Sequence, residues 1–216
     1  MGNNFACENY YCQDIILKPE WFSENSWNIS YNYFDEKFDF KPYTIEKGLI
    51  SLKGTPKFNL MLSKKLNIDL NDFEKFIIPI HFNFFLENEL SIYVILSNSY
   101  LTLNNIDGIN NNDNLFYFHI CLNKKKISIQ RSYDNKNFKF NKIKNNLDNY
   151  YNIELKNNNN NLFSVREKMF KNNKEIFDYN SIKLFNNIDN NIYISIYITS
   201  KNQMINKKEY LNLNFE

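Results

Sequence analysis

Glycine, proline, cysteine and histidine are all scarce in this 216-residue chain, with four, four, three and two residues respectively. Alanine occurs once, at Ala6. Each shortage excludes something. Zinc needs three or four ligands, and His119 and Cys121, two residues apart on one strand face, would supply only two of them. The other histidine, His81, lies far off in sequence. Scattered glycines leave no Gly-rich phosphate loop, and no Ser-His-Asp arrangement or EF-hand spacing is present. No cofactor is expected. Long apolar runs are missing too. The longest, residues 76–85, is interrupted by Pro79, His81 and Asn83, well short of the ~18 residues of a membrane span. No apolar segment follows a basic start, so no export signal is read, and the cysteines are expected to be reduced thiols. The net charge of +2 argues against a nucleic-acid partner, which calls for a strongly basic face.

What is abundant falls into two groups. Asparagine, with about 42 residues, fills polar stretches and follows the same AT-rich codon bias that supplies Lys, Ile, Phe and Tyr at the expense of Ala, Gly and Arg. Aromatic residues make up 17% of the chain, which together with the many isoleucines is too apolar for disorder and supports a core of β-type residues.

Period-two alternation recurs along the chain. Trp27, Ile29, Tyr31 and Tyr33 alternate with polar residues. Phe76, Ile78, Ile80, Phe82 and Phe84 share one face of a long strand, and Leu90, Ile92, Val94 and Leu96 share one face of the next, with Tyr93 and Ile95 opposite. Ile192, Ile194, Ile196 and Ile198 alternate with Tyr193, Ser195, Tyr197 and Thr199. Further strands are expected at residues 49–52, 58–62, 115–122, 127–133, 138–140, 151–155, 162–168, 175–179 and 211–215, and one short helical turn around residues 69–73. Roughly a dozen strands at this spacing predict an all-β, two-sheet antiparallel β-sandwich. The order of segments resembles the concanavalin A-like jelly roll: a Trp-bearing opening, then Gly48-Leu49-Ile50-Ser51-Leu52, then the long strand, then a late Ile-Tyr-Ile-Ser-Ile-Tyr-Ile strand. That likeness spans the domain expected at residues 21–216, after a leader at 1–20.

Catalysis is not expected. In the concanavalin-like glucanases the carboxylates sit as E-x-D-x-x-E. The acidic clusters here, Asp35-Glu36 with Asp39 and Glu87 with Glu89, do not match it, and glycoside cleavage needs two carboxylates facing each other across a cleft. His81-Phe82-Asn83 resembles part of the galectin strand, but Phe84 and Phe85 stand where galectins carry Pro and Arg, and the partnering Trp segment is missing.

The first twelve residues, Met-Gly-Asn-Asn-Phe-Ala-Cys-Glu-Asn-Tyr-Tyr-Cys, have the layout of a dually acylated anchor: myristate on Gly2, palmitate on Cys7 or Cys12. One myristoyl chain holds a membrane only marginally. Residues 3–26 are acidic, with Glu8, Asp14, Glu20 and Glu24 against Lys18, so the second signal has to be a second lipid. This start resembles the dual-acylated peripheral proteins of apicomplexan parasites, including those of the inner membrane complex, and the resemblance implies a role in membrane or cytoskeletal organisation. A basic segment could support it. Lys124, Lys125, Lys126, Arg131, Lys136, Lys139, Lys142 and Lys144 stand against Asp134 alone, a charge of about +7 that could face anionic lipid or an acidic partner. The expectation is a non-enzymatic adaptor on the cytosolic face of the plasma membrane or inner membrane complex, held by its acyl chains and presenting a sandwich to protein partners. The alternative is a concanavalin-like module whose sheet binds a carbohydrate or peptide through tyrosines such as Tyr31, Tyr33, Tyr117, Tyr193 and Tyr197. A cytosolic location disfavours glycan.

Overall fold

A computed structural model describes residues 13–16, 27–33, 43–46, 49–53, 57–66, 73–106, 115–124, 126–132, 134–141, 149–157, 162–169, 174–183, 192–200 and 208–215. The regular structure among them is entirely strand: β1 (Gln13–Ile16), β2 (Asn28–Tyr33), β3 (Tyr43–Glu46), β4 (Leu49–Lys53), β5 (Phe58–Leu66), β6 (Phe73–Phe85), β7 (Leu90–Ser97), β8 (Leu115–Leu122), β9 (Lys126–Arg131), β10 (Asp134–Asn141), β11 (Asn149–Asn157), β12 (Leu162–Met169), β13 (Lys174–Lys183), β14 (Ile192–Ser200) and β15 (Tyr210–Asn214). Phe73 opens β6, where the sequence reading placed the end of a helical turn.

Two sheets face each other, as expected of a concanavalin-like sandwich. The first runs β13-β12-β11-β6-β15-β4-β3, and the second runs β10-β9-β8-β7-β14-β5-β2. Pairing is antiparallel except at β1, which adds to the first sheet by parallel pairing with β6. β11 covers one edge of β6 from Lys75 to Phe82. On its other edge β1 reaches as far as Ile77 and β15 begins at His81, so the two lie end to end along that edge. Pro79, which has no N–H to give a ladder, falls in the gap between them. Residues 13–16 of the expected leader are thus a strand of the domain's own sheet.

Alternation decides which residues meet. Phe76, Ile78, Ile80, Phe82 and Phe84 point between the sheets and are at most 3% exposed. They meet Leu60, Leu62, Ile92, Val94, Phe118, Ile120, Ile194, Ile196 and Ile198 of the second sheet in one continuous core. Burying each such side chain stabilises the fold by about 2 kcal/mol. At one end of the sandwich Tyr31 of β2 meets Tyr43 of β3 edge to face, with ring centroids 5.9 Å apart. The crossover from β6 to β7 is held by Glu209, 1% exposed, whose Oε1 accepts the backbone N–H groups of Glu87 at 2.5 Å and Asn88 at 3.2 Å.

Candidate ligand-binding face

The outward side of the second sheet holds the densest arrangement of polar and aromatic side chains among the described residues. Register aligns them in rows across the strands. The first row is Ser30, Met61, Tyr197, Tyr93, His119 and Gln130. Two residues further along each strand, the second row is Asn32, Asn59, Thr199, Ser91, Cys121 and Ser128. Neighbouring strands are about 4.8 Å apart and successive same-face residues about 6.8 Å, so the two rows form a grid on that spacing.

Cross-strand contacts fix the grid. Tyr93 stacks on His119 with centroids 4.2 Å apart and planes 4° from parallel. Tyr197 flanks Tyr93 at 5.6 Å and 29°. These rings turn their faces mainly to one another, so their edges are what a ligand would meet. Asn59 Oδ1 accepts from Tyr197 OH at 3.1 Å and from Thr199 Oγ1 at 2.7 Å. His119 Nε2 and Ser91 Oγ share a hydrogen bond at 3.0 Å. Burial, and then the nearby Tyr197, Tyr117, Cys121 and Glu89, push the Tyr93 phenol up to about 12. Tyr93 therefore stays protonated and able to donate through the whole physiological range. Apart from His119, the six strands from β2 to β9 bring no ionisable acid or base to these rows other than phenols and the Cys121 thiol, and β10 extends the second row with Lys139 beside Ser128.

One flank of the face is covered. Residues 98–106 cross over the row of Ser63, Ser195, Ile95 and Tyr117, which follows on the other side of the first row. Leu101 and Ile106 are buried against Met61, Ile95 and Tyr117, with Leu103, Tyr93 and Tyr197 at the margin. Burial raises the Tyr117 phenol.

The residues singled out from sequence fall as follows. His119 and Cys121 do share a face, in adjacent rows, and among the described residues no three of His, Cys, Asp and Glu gather as metal ligands would. Tyr193 and Tyr197 are half-buried on this face, Tyr117 is buried under the crossing segment, and Tyr31 stands at the edge with 46% of its surface exposed. Tyr33's side chain lies outside the described residues. His81 and Asn83 face outward from the first sheet, where Asn83 Oδ1 accepts from Tyr210 OH at 3.3 Å.

In the basic segment, Lys124 is exposed, Lys126 lies in β9, and Lys136 and Lys139 lie in β10, with Lys139 in register with Ser128. Lys125, Lys142 and Lys144 lie outside the described residues, as do Gly2, Cys7 and Cys12. Arg131 corrects the expected patch. It is 2% exposed and opposite Phe118, because it shares the strand parity of Ile127 and Ile129, which belong to the core. It is an interior residue, not a surface cation.

Sequence reasoning did not single out Tyr93, Asn59, Thr199 or Ser91 as site residues. Each strand carried an alternation, but the grid comes from register between strands distant in sequence.

No protein-family model matches this chain, and no curated protein matches it in sequence. Solved structures match it in fold. A mutant form of the Emp46p carbohydrate recognition domain superposes with a TM-score of 0.54 at 9% identity, covering 96% of this chain and 97% of that one. The Emp47p carbohydrate recognition domain does so with 0.50 at 12%, covering 88% and 89%. The alginate lyase Aly36B, as a double mutant in complex with alginate trisaccharide, gives 0.52 at 10%, covering 81% and 82%. The chain has the fold of a concanavalin-like β-sandwich.

Proposed function

We propose that this protein is a non-catalytic binding module that takes a neutral, polyhydroxylated ligand, a carbohydrate chain, on the outward face of its second sheet. The observation that carries the reading is the two-row grid, with Tyr197, Tyr93 and His119 beside Asn59, Thr199 and Ser91. Closely spaced uncharged donors and acceptors beside apolar ring edges suit a sugar's alternating hydroxyl and C–H surfaces. The fold's likeness to two carbohydrate recognition domains agrees with this. The absence of carboxylates from the two rows favours binding over glycosyl transfer. It is tested by retention on immobilised oligosaccharides, neutral and uronic. Wild type is expected to be retained by neutral chains, with affinity about tenfold lower in Tyr93→Ala and in Asn59→Ala. Retention by no glycan overturns the reading and leaves the protein-binding adaptor in its place.

Location is a separate proposal, and it competes with the first: an acyl anchor puts the domain on a cytosolic face, which disfavours a glycan and goes with the protein-binding adaptor. Acylation at Gly2 and at Cys7 or Cys12 would hold the protein at a membrane. β1 begins directly after Cys12, so a lipid there would keep the sandwich close against the bilayer, where confinement raises the effective concentration of a partner. A C-terminally tagged protein is expected to pellet with membranes, and Gly2→Ala and Cys7→Ala/Cys12→Ala to become soluble. Equal solubility of all three rules the anchor out.

A further inference from the structure

Residues 98–106 form a strap over the sheet that is hydrogen-bonded within itself. Among the described residues, the hydrogen bonds of this strap stay within it and its root. Asn105 Oδ1 accepts from the Thr102 backbone N–H at 2.6 Å and from Thr102 Oγ1 at 3.3 Å. Asn105 Nδ2 donates to the Tyr100 carbonyl at 3.1 Å, the Asn105 backbone N–H donates to the Thr102 carbonyl at 3.2 Å, and Ser97 Oγ donates to the Ser99 carbonyl at 2.7 Å. The surface beneath is equally self-sufficient. Ser63 and Ser195 have no exposure, and their hydroxyls bond each other at 2.6 Å. The strap meets the sheet through Leu101, Leu103 and Ile106, and through an edge contact of Tyr100 with Tyr193 at 6.3 Å. Lifting the strap therefore breaks none of these hydrogen bonds. A segment with few apolar anchors and closed internal bonding opens below the free energy of global unfolding.

We propose that this strap is a movable cover over a third row of the ligand-binding face. The uncovered row, Ser63, Ser195, Ile95 and Tyr117, is continuous with the two open rows and repeats their mixture of hydroxyl and apolar groups. The face then has two sizes: two rows with the strap down, three with it lifted. The role of the third row rests on the proposed ligand-binding reading. The opening itself does not.

A buried thiol tests the opening without any ligand. In a background of Cys7→Ser, Cys12→Ser and Cys121→Ser, Ser195→Cys places a near-isosteric thiol under the strap, with Ser63→Cys as the second probe should the first fail to fold. Val94→Cys places one in the core between the sheets, where Val94 is 1% exposed. Maleimide labelling of the Ser195→Cys thiol is expected to be at least about tenfold faster than that of the Val94→Cys thiol, and Leu101→Ala is expected to accelerate the first about tenfold further with little change in the second. Equal rates at the two thiols, or equal acceleration of both by Leu101→Ala, mean that the strap opens only when the domain unfolds, which overturns the proposal. Loss of carbohydrate retention in the separate assay would remove the ligand and leave this result standing.

Discussion

The Tyr93 phenol and the His119 imidazole lie ring on ring across β7 and β8, 4.2 Å apart and within 4° of parallel. Because Tyr93 is crowded by burial and by other phenols, its proton is held to about 12.

The first prediction concerns alkali. The folded state holds the Tyr93 proton more tightly than the unfolded chain, whose phenol ionises near 10. The stability linked to this group is complete below pH 10 and is lost as pH rises through 12. Urea midpoints of the wild type are expected to fall between pH 10 and pH 12. Tyr93→Phe, with no proton to lose, is expected to fall less. Identical slopes would mean that the crowding does not act on this phenol.

The second concerns Glu209. Its carboxylate serves two backbone donors at the β6–β7 crossover, so Glu209→Ala leaves two N–H groups without it and is expected to cost about 2–3 kcal/mol. Glu209→Gln keeps an acceptor oxygen and is expected to lose less. Denaturant titration of both variants checks the order, which a purely electrostatic role for Glu209 would not produce.

A third prediction separates the two sides of β6. Ile80 has no exposure, and Ile80→Ala is expected to cost about 2–5 kcal/mol through lost burial and the cavity left behind. His81, its outward neighbour, is expected to tolerate Ala within about 1 kcal/mol. Similar losses at both positions would contradict the assigned facing of the strand.

The fourth addresses how the strap is fastened. Asn105 is exposed, yet its side chain joins Thr102 to Tyr100. Asn105→Ala is expected to speed amide exchange within residues 98–106 while leaving the β5, β7 and β14 amides protected. Unchanged exchange in the strap would show that the apolar anchors alone shape it.

Much of this architecture was readable from spacing alone. Residues 76, 78, 80, 82 and 84 alternate so strictly that only a half-buried strand satisfies them, and the same holds for the isoleucines of β14. β3 escaped notice because Tyr43-Thr-Ile-Glu46 offers only two inward residues, too few to stand out from a loop. β1 is equally short, and its pairing partner lies some sixty residues later. Arg131 was misjudged because its lysine neighbours outweighed the local pattern, although Ile127 and Ile129 already set its parity. The polar and aromatic grid on the second sheet was the least legible feature. Asn59 meets Tyr197 and Thr199 only because β5 pairs with β14 in one particular register, and nothing within either strand states that register.

The central position of β15 carries a consequence for biosynthesis. This strand lies between β6 and β4, and its Leu211 and Leu213 are fully buried in the core. Until residue 214 has cleared the ribosome tunnel, β6 and β4 cannot be joined, and the nascent chain must hold the aromatic face of β6 without its neighbour. Folding of this sheet then waits for β15, and a nascent chain held before that strand emerges would display an unfinished sheet to chaperones and proteases.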